Sequence, residues 1–127
     1  MPVAKAAEKI ATAMQVLPGV TSSPHRFGGT EYRLDRREIG HVHGDSLVDI
    51  PFTKKIREEL VAAGKAERHH ILPDSGWVSV YLREPADVDR AIELLRYSYE
   101  RARPREMEGA ATAANPEHPA ALWLGRS

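Results

Sequence analysis

Residues 37–50 constrain the fold of this chain more than any other stretch, because their alternating pattern predicts a β-hairpin. Gly44-Asp45, between the two alternating runs, is typical of a tight two-residue turn. Such a turn places His43 opposite Ser46. Because side chains alternate along a strand, His41 and His43 share one face of the hairpin. That face also carries Ile39 and Ile50, and the opposite face carries Gly40, Val42, Leu47 and Asp49.

Hydrophobic periodicity and helix-capping residues predict the remaining elements. Thr53 is an expected N-cap, and Pro85 suits the first turn of the last helix. Helices are predicted over about residues 3–16, 53–63 and 85–103, and further strands over residues 31–34, 68–72 and 77–82. Residues 20–30 are predicted as a connection with room for a short strand near residues 25–27. This order predicts an α+β fold, with a mainly antiparallel sheet of about five strands and helices packed on one face.

The last of these strands has the clearest pattern, because aliphatic residues alternate with aromatic and polar ones. The aliphatic face is expected to meet the helices, and it carries Val78, Val80 and Leu82. The other face carries Trp77, Ser79 and Tyr81. This second face is then available to line a cleft or to form a homodimer contact.

The length and composition of the chain limit its class. With 127 residues we expect one domain, over residues 1–103, followed by a partly disordered tail over residues 104–127. Lys+Arg and Asp+Glu both number 18, so the net charge of zero makes nucleic-acid binding an unfavoured function. The absence of cysteine excludes disulfides, thiolate nucleophiles and cysteine-based metal sites. No apolar run predicts a membrane span, and a cytoplasmic location is expected.

Four histidines in or beside predicted strands form a candidate functional site. Neutral imidazoles suit transition metals, and His41 and His43 can supply two ligands from one strand. His69 and His70 are adjacent, so on a strand at most one of them can join that pair. Asp45 or Asp49 could add an oxygen ligand, although a two-residue turn puts Asp49 on the opposite face. Structural hydrogen bonding by the same histidines is the alternative, so the sequence leaves a metal site open.

Several segments together resemble the luciferase-domain family, small bacterial proteins that share a domain with fungal luciferases. The His-x-His hairpin followed by His69-His70 and Gly76-Trp77 is the most specific combination. The other matching segments are Leu17-Pro18-Gly19-Val20, His25-Arg26-Phe27-Gly28-Gly29 and Ala91-Ile92-Glu93-Leu94-Leu95-Arg96-Tyr97-Ser98-Tyr99. Fungal members act on a hydroxylated styryl-pyrone with molecular oxygen. The resemblance therefore implies a small aromatic ligand and a cofactor-independent, oxygenase-like reaction in a His-lined pocket.

The resemblance to this family implies roles for particular side chains. His41 or His43 would remove a proton, because imidazole is matched to proton transfer near neutral pH. An anion that develops on the substrate would need positive or hydrogen-bonding partners, which Arg33, Arg37 or Tyr81 could supply. Trp77 and Tyr81 would stack on a flat substrate. The remaining residues of the expected substrate site are His69 and Asp49.

Other functions stay open from the sequence. Residues 75–102 also resemble MmcQ/YjbR-like proteins, some of which bind DNA. A continuous basic face would support that function, and its candidates are Arg33, Arg36, Arg37, Lys54, Lys55 and Arg57. Glu38 and Asp49 could act as paired carboxylates in hydrolysis. The third possibility is an interaction domain without chemistry, in which the histidines are structural and the aromatic face is a dimer contact.

Overall fold

The structure, a computed structural model, describes residues 2–24 and 28–103. Its helices are α1 (Ala6–Gln15), α2 (Lys54–Ala62) and α3 (Pro85–Ala102). Its strands are β1 (Val20–Pro24), β2 (Thr30–Leu34), β3 (Arg37–His43), β4 (Leu47–Ile50), β5 (Glu67–Arg68) and β6 (Val78–Tyr81). They form one sheet in the order β1-β2-β3-β4-β6-β5, and every neighbouring pair is antiparallel. The predicted α+β fold is confirmed, with one strand more than expected.

The additional strand is β1, which pairs with β2 from Val20 to Pro24. The short strand predicted over residues 25–27 and the tail over residues 104–127 lie outside the described residues. Within the part of the chain that is described, no helix has the length and apolar character to cross a membrane.

Two of the helices begin where the sequence predicts. Thr53 Oγ1 accepts a hydrogen bond from the Ile56 N–H at 3.1 Å, which caps α2. Pro85 opens α3, and the Glu84 and Asp87 side chains form a reciprocal capping box at the same end. Each cap satisfies backbone N–H groups that a helix leaves without a partner in its first turn.

The hydrophobic core lies between the sheet and the α1–α3 layer. Helix α3 contacts β3, β4, β6 and α1. It lies so close to β3 that a Cβ built on Gly40 would come 2.6 Å from Leu95 Cδ2. Val78, Val80 and Leu82 are buried, as predicted. Because Gly40 faces α3, the neighbouring His41 projects to the opposite face of the sheet.

The turn of the β3–β4 hairpin is one residue longer than predicted. His43 pairs with Leu47 and His41 pairs with Asp49, so three residues, 44–46, make the turn. Gly44 adopts a left-handed φ of 55°, which glycine tolerates without steric cost. The two-residue prediction was therefore wrong. Since a shift of one residue moves side chains to the other face, Asp49 lies on the His41 face.

Contacts elsewhere in the molecule explain the longer turn. The Asp45 carboxylate accepts a hydrogen bond from the Ala7 N–H at 2.9 Å, at the start of α1. The Ser46 carbonyl accepts one from the Leu82 N–H at 2.8 Å. Asp45 thus satisfies a helix terminus instead of joining the histidines. Such tertiary contacts are invisible in the local pattern of the hairpin sequence.

A β-bulge in β3 changes the alternation a second time. Tyr32 pairs with Gly40 but Arg33 pairs with Glu38, so Ile39 is an extra residue in β3. The Ser98 hydroxyl of α3 donates a hydrogen bond of 2.8 Å to the Ile39 carbonyl. Ile39 is buried in the core, although the sequence predicts it on the His41 face. Beyond the bulge, the Glu38 side chain lies on the His41 side.

The strand predicted over residues 68–72 is shorter in the structure, because β5 ends at Arg68. Residues 69–77 form a connection that turns back towards β6. The Arg57 guanidinium of α2 secures it with hydrogen bonds to the carbonyls of Pro73, at 3.2 Å, and Ser75, at 2.6 Å. His69 and His70 therefore do not obey the alternation of a strand.

Candidate functional site

The candidate site is organised around the carboxylate of Asp49, which is only 1% exposed. Its Oδ1 accepts a hydrogen bond from the Ser79 hydroxyl at 2.6 Å. Its Oδ2 lies 2.9 Å from His43 Nε2 and 3.2 Å from His41 Nε2. These side chains lie close together because His41, Asp49 and Ser79 are paired across β3, β4 and β6.

The connection over residues 69–77 adds two more imidazoles. His69 Nε2 and His70 Nε2 lie 3.5 and 3.4 Å from Asp49 Oδ2. The two rings stack at 4.5 Å between centroids, so both point to the same side. The expectation that only one of them can join the strand histidines was wrong, because neither lies in a strand. The five residues are called the Asp49 cluster below: His41, His43, Asp49, His69 and His70.

His41 connects two carboxylates. Its Nδ1–H donates to Glu38 Oε2 at 2.7 Å, while its Nε2 faces Asp49. Burial lowers the pKa of His41, but the hydrogen bonds with Asp49 and Glu38 outweigh burial and raise that pKa to about 9. Burial raises the pKa of Asp49, but hydrogen bonds from His41 and Ser79 outweigh burial and hold it well below its usual range. In the absence of a cation, these shifts favour a protonated His41 beside an ionised Asp49, and a cation bound at Nε2 would take the place of that proton.

His69 is held in a particular tautomer by the backbone. Its Nδ1 accepts hydrogen bonds from the N–H groups of Ile71, at 3.1 Å, and Leu72, at 3.0 Å. A neutral imidazole that accepts at Nδ1 carries its hydrogen on Nε2. Burial lowers the pKa of His69, so the neutral form is favoured. We therefore assign His69 Nε2 as a hydrogen-bond donor towards Asp49.

A cleft of about 410 Å³ opens beside the Asp49 cluster. Trp77 forms part of its wall, with its ring 5.2 Å from the His41 ring and 6.0 Å from the His69 ring. The cleft is lined by Arg36, Arg37, Glu38, Pro51, Phe52, Thr53, Trp77 and Arg101. Burial, and then the nearby Arg37 charge, lower the pKa of Arg101, because the two guanidinium-bearing side chains lie close together. The cleft meets the cluster through Glu38 and Trp77.

Most of the residues singled out from the sequence lie at this place. Arg37 lines the cleft and donates a hydrogen bond of 3.3 Å to the Arg101 carbonyl. Tyr81 pairs with Leu47, two residues along the strands from the Asp49–Ser79 pair. The Arg83 guanidinium lies 4.8 Å from the centre of the Tyr81 ring. The candidates that the structure brings together are His41, His43, Asp49, His69 and Trp77.

Two other candidates have structural partners. Arg33 pairs with Glu31 on its own strand. Arg57 is buried, and its guanidinium also pairs with Glu58. The basic face proposed for nucleic-acid binding therefore lacks Arg57. Glu38 and Asp49 both contact His41, so they act here as partners of one imidazole.

The sequence did not assign the observed roles of four contributors to the site. Glu38 was considered only as a paired carboxylate, and His70 only as an alternative to His69. Ser79 was assigned to the right face without a role. No sequence pattern pointed to Arg101, because it approaches the cleft from the end of α3, far from the hairpin along the chain.

Residues 36–98 match the family model of the luciferase domain. The matched span includes β3 to β6, and with them every member of the Asp49 cluster and most of α3. No curated protein and no solved structure matches the chain.

Proposed function

Because the chain is assigned to the luciferase-domain family through residues 36–98, we propose that it is a small-molecule-binding enzyme domain with the Asp49 cluster as its reacting centre. One observation carries the proposal. The buried Asp49 carboxylate, with four imidazoles around it, adjoins the arginine-lined cleft through Glu38 and Trp77. A concave site with a few convergent polar groups is the usual form of a small-molecule site.

The lining of the cleft supports a flat anion as the ligand. Three guanidinium-bearing residues, Arg36, Arg37 and Arg101, contribute positive charge. Guanidinium groups match the geometry of carboxylates and similar anions. The rings of Trp77 and Phe52 supply aromatic surface on which a planar compound can stack. An ionised, hydroxylated aromatic compound satisfies both features.

The family assignment supports the type of reaction. Fungal relatives join oxygen to a flat hydroxylated substrate, and such a reaction requires that an electron-rich anion be held beside a proton-transferring centre. In this chain the substrate anion would lie against Arg37 and Arg101. Its reacting carbon would face the Asp49 cluster past Trp77. We propose an oxygenase-like reaction of this kind, whose substrate is a member of the aromatic anion class.

A binding screen tests the proposal. Hydroxycinnamates and hydroxy-pyrones are titrated against the full chain, each beside an uncharged ester or methyl ether, and followed by isothermal calorimetry. We expect the anions to bind at least about tenfold more tightly than their neutral partners, which corresponds to about 1.4 kcal/mol. Arg37→Gln should reduce anion binding by a similar factor.

The matched control is Arg96→Gln, which removes an exposed arginine of α3 that does not line this cleft. It should leave binding unchanged. Equal binding of anions and neutral analogues, or equal losses in Arg37→Gln and Arg96→Gln, would contradict the proposed ligand class. Oxygen consumption with each compound that binds then tests the reaction itself.

A further inference from the structure

We propose that the Asp49 cluster binds one divalent first-row transition-metal ion, with Nε2 of His41, His43 and His70 and Oδ2 of Asp49 as its ligands. The inference deepens the proposed function and rests on it only for the reaction that the ion would serve. It departs from the cofactor-independent reaction that the family resemblance implies.

Each of the three imidazole nitrogens lies at a ligand-to-ligand distance from Asp49 Oδ2. Asp49 Oδ2 lies 2.9 Å from His43 Nε2, 3.2 Å from His41 Nε2 and 3.4 Å from His70 Nε2. Two ligands that each lie about 2.0–2.1 Å from a tetrahedral zinc ion are about 3.3 Å apart. Two groups of three ligand atoms, each group within 4.8 Å, share Asp49. His41 and His43 belong to the first group and His70 to the second, so an ion held by His41, His43 and Asp49 would recruit His70 by a rotation of that partly exposed ring.

The partners behind the ligands are those of a metal site. Glu38 accepts from Nδ1–H of His41 and so leaves Nε2 to face the cluster. A carboxylate that orients a histidine in this way is a common second layer around metal ions. On Asp49, the Ser79 hydroxyl occupies Oδ1 and leaves Oδ2 to face the histidines. Each of these two ligands is thus fixed on the side away from the proposed ion.

His69 is assigned to the second layer and not to the ligand set. Its Nδ1 accepts two backbone N–H groups, so the hydrogen is on Nε2. A nitrogen that carries a hydrogen has no lone pair in the ring plane for a metal. The His69 N–H instead faces Asp49 Oδ2. The remaining ligands are three imidazoles and one carboxylate.

Charge and accessibility favour an exchangeable ion. Asp49 and Glu38 bring two negative charges to the site, which a divalent cation balances. The side chains of His43 and His70 are 29% and 34% exposed, so solvent reaches one side of the ligand set. Four protein ligands fill a tetrahedral site, so an ion here would keep an open position for substrate on the solvent side only with a higher coordination number. Mixed imidazole and carboxylate ligands suit zinc, iron, manganese or cobalt.

Cobalt binding to the untagged full chain tests the inference. The protein is dialysed against a chelator, transferred to metal-free buffer and titrated with Co²⁺, whose visible absorption reports coordination by nitrogen and oxygen. Zn²⁺ competition then gives relative affinities. We expect one Co²⁺ per chain, displaced by Zn²⁺. Saturation at no more than a tenth of an equivalent by a chain that is folded by circular dichroism would overturn the inference.

Variants distinguish the ligands from their neighbours. His70 lies in a connection and is partly exposed, so His70→Ala should fold. This variant should lose at least about 100-fold in Co²⁺ affinity, which is more than the loss expected for an outer-layer partner. His43→Ala is a second ligand variant with the same expected loss. His69→Gln is the comparison variant, whose expected loss of about 10–100-fold is that of an outer-layer partner and stays below the loss in the ligand variants. Unchanged binding in both alanine variants, or equal losses in His70→Ala and His69→Gln, would overturn the assigned ligand set.

Failure of this inference is distinguishable from failure of the proposed function. If the aromatic anions bind with the expected dependence on Arg37 while no Co²⁺ binds, only the metal inference is wrong. If Co²⁺ binds with the expected dependence on His70 while no anion binds, the metal inference holds and the proposed ligand class is wrong.

Discussion

Glu38 Oε2 lies 2.7 Å from His41 Nδ1, although residues three apart in a regular strand point to opposite faces. The bulge at Ile39 removes this difficulty, because the extra residue returns Glu38 to the His41 side. Bulges are frequent next to active sites, where they redirect a side chain. The irregularity in β3 therefore serves the candidate site.

Glu38→Gln should weaken ion binding without unfolding the protein. The amide keeps the shape of the side chain but removes the charge that orients His41. We expect a loss of about 10–100-fold in Co²⁺ affinity, the usual effect of removing an outer partner of a metal ligand. Glu8→Gln, at an exposed position of α1, is the matched control with no expected loss. Equal affinities of the Glu38 variant and the wild type would show that His41 needs no carboxylate behind it.

Ser98→Ala should destabilise the bulge from the helix side. The buried hydroxyl donates to the Ile39 carbonyl, so its removal leaves a buried acceptor without this partner. We expect a loss of about 1–3 kcal/mol in the free energy of unfolding, measured by urea denaturation. Thr12→Ala removes an exposed hydroxyl that bonds to its own helix and should cost much less. Similar losses in the two variants would argue against a special role for Ser98.

Gly40→Ala should be destabilising because α3 occupies the space of a side chain. A Cβ at this position would lie 2.6 Å from Leu95 Cδ2 and 3.0 Å from the Asp49 carbonyl oxygen. Overpacking of this kind costs about 1–3 kcal/mol. In a double-mutant cycle with Leu95→Ala, the double variant should lose less free energy of unfolding than the two single variants together, because Leu95→Ala removes one clash. Simple additivity would place the source of the destabilisation elsewhere.

Metal addition should raise the melting temperature of the chelated protein. An ion that binds the folded chain alone stabilises it by about 2.7 kcal/mol at 100 times its dissociation constant. For a domain of this size the midpoint should rise by roughly 10 °C. The shift should be much smaller in His70→Ala, which lacks one ligand. A rise of equal size in the variant would indicate binding at some other place.

Asp87 should contribute to stability at neutral pH but not in strong acid. Burial raises the pKa of Asp87, but hydrogen bonds from the N–H groups of Arg83 and Glu84 outweigh burial and lower it. A lowered pKa means that the contribution is present above the unfolded value, about 3.9, and is lost as the pH falls through the folded value.

Asp87→Asn tests this contribution through urea denaturation at several pH values. The variant should lose about 1 kcal/mol at pH 7, the usual worth of a helix cap. The difference from the wild type should shrink as the pH falls below about 3.9 and should disappear only below the lowered pKa of the folded wild type, where its carboxyl is also neutral. A difference that is constant across this range would mean that shape, and not charge, matters at the start of α3.

Local chemistry explains what could be predicted from the sequence. The cap at Thr53 and the start of α3 at Pro85 depend on residues within one helical turn, so the sequence contains the whole signal. The shared face of His41 and His43 likewise depends only on alternation within a strand. The fold class followed from the order of such elements.

Register and the Asp49 cluster depend on distant contacts instead. The three-residue turn is secured by Ala7 and Leu82, and the bulge by Ser98. Both irregularities change which face a side chain occupies, and both concern acidic partners of His41. The histidines could therefore be found from the sequence, whereas Asp49 was predicted on the wrong face, and regular alternation along β3 would put Glu38 there as well.

The length of the β3–β4 turn has a consequence for comparing this chain with its relatives. Five residues separate His43 from Asp49, and this number determines that the carboxylate and the imidazoles meet. A relative with one residue deleted there would keep every histidine and every aspartate, yet its aspartate would face the hydrophobic core. Inheritance of the site is therefore better judged by the gaps in an alignment than by identity at the aligned histidines.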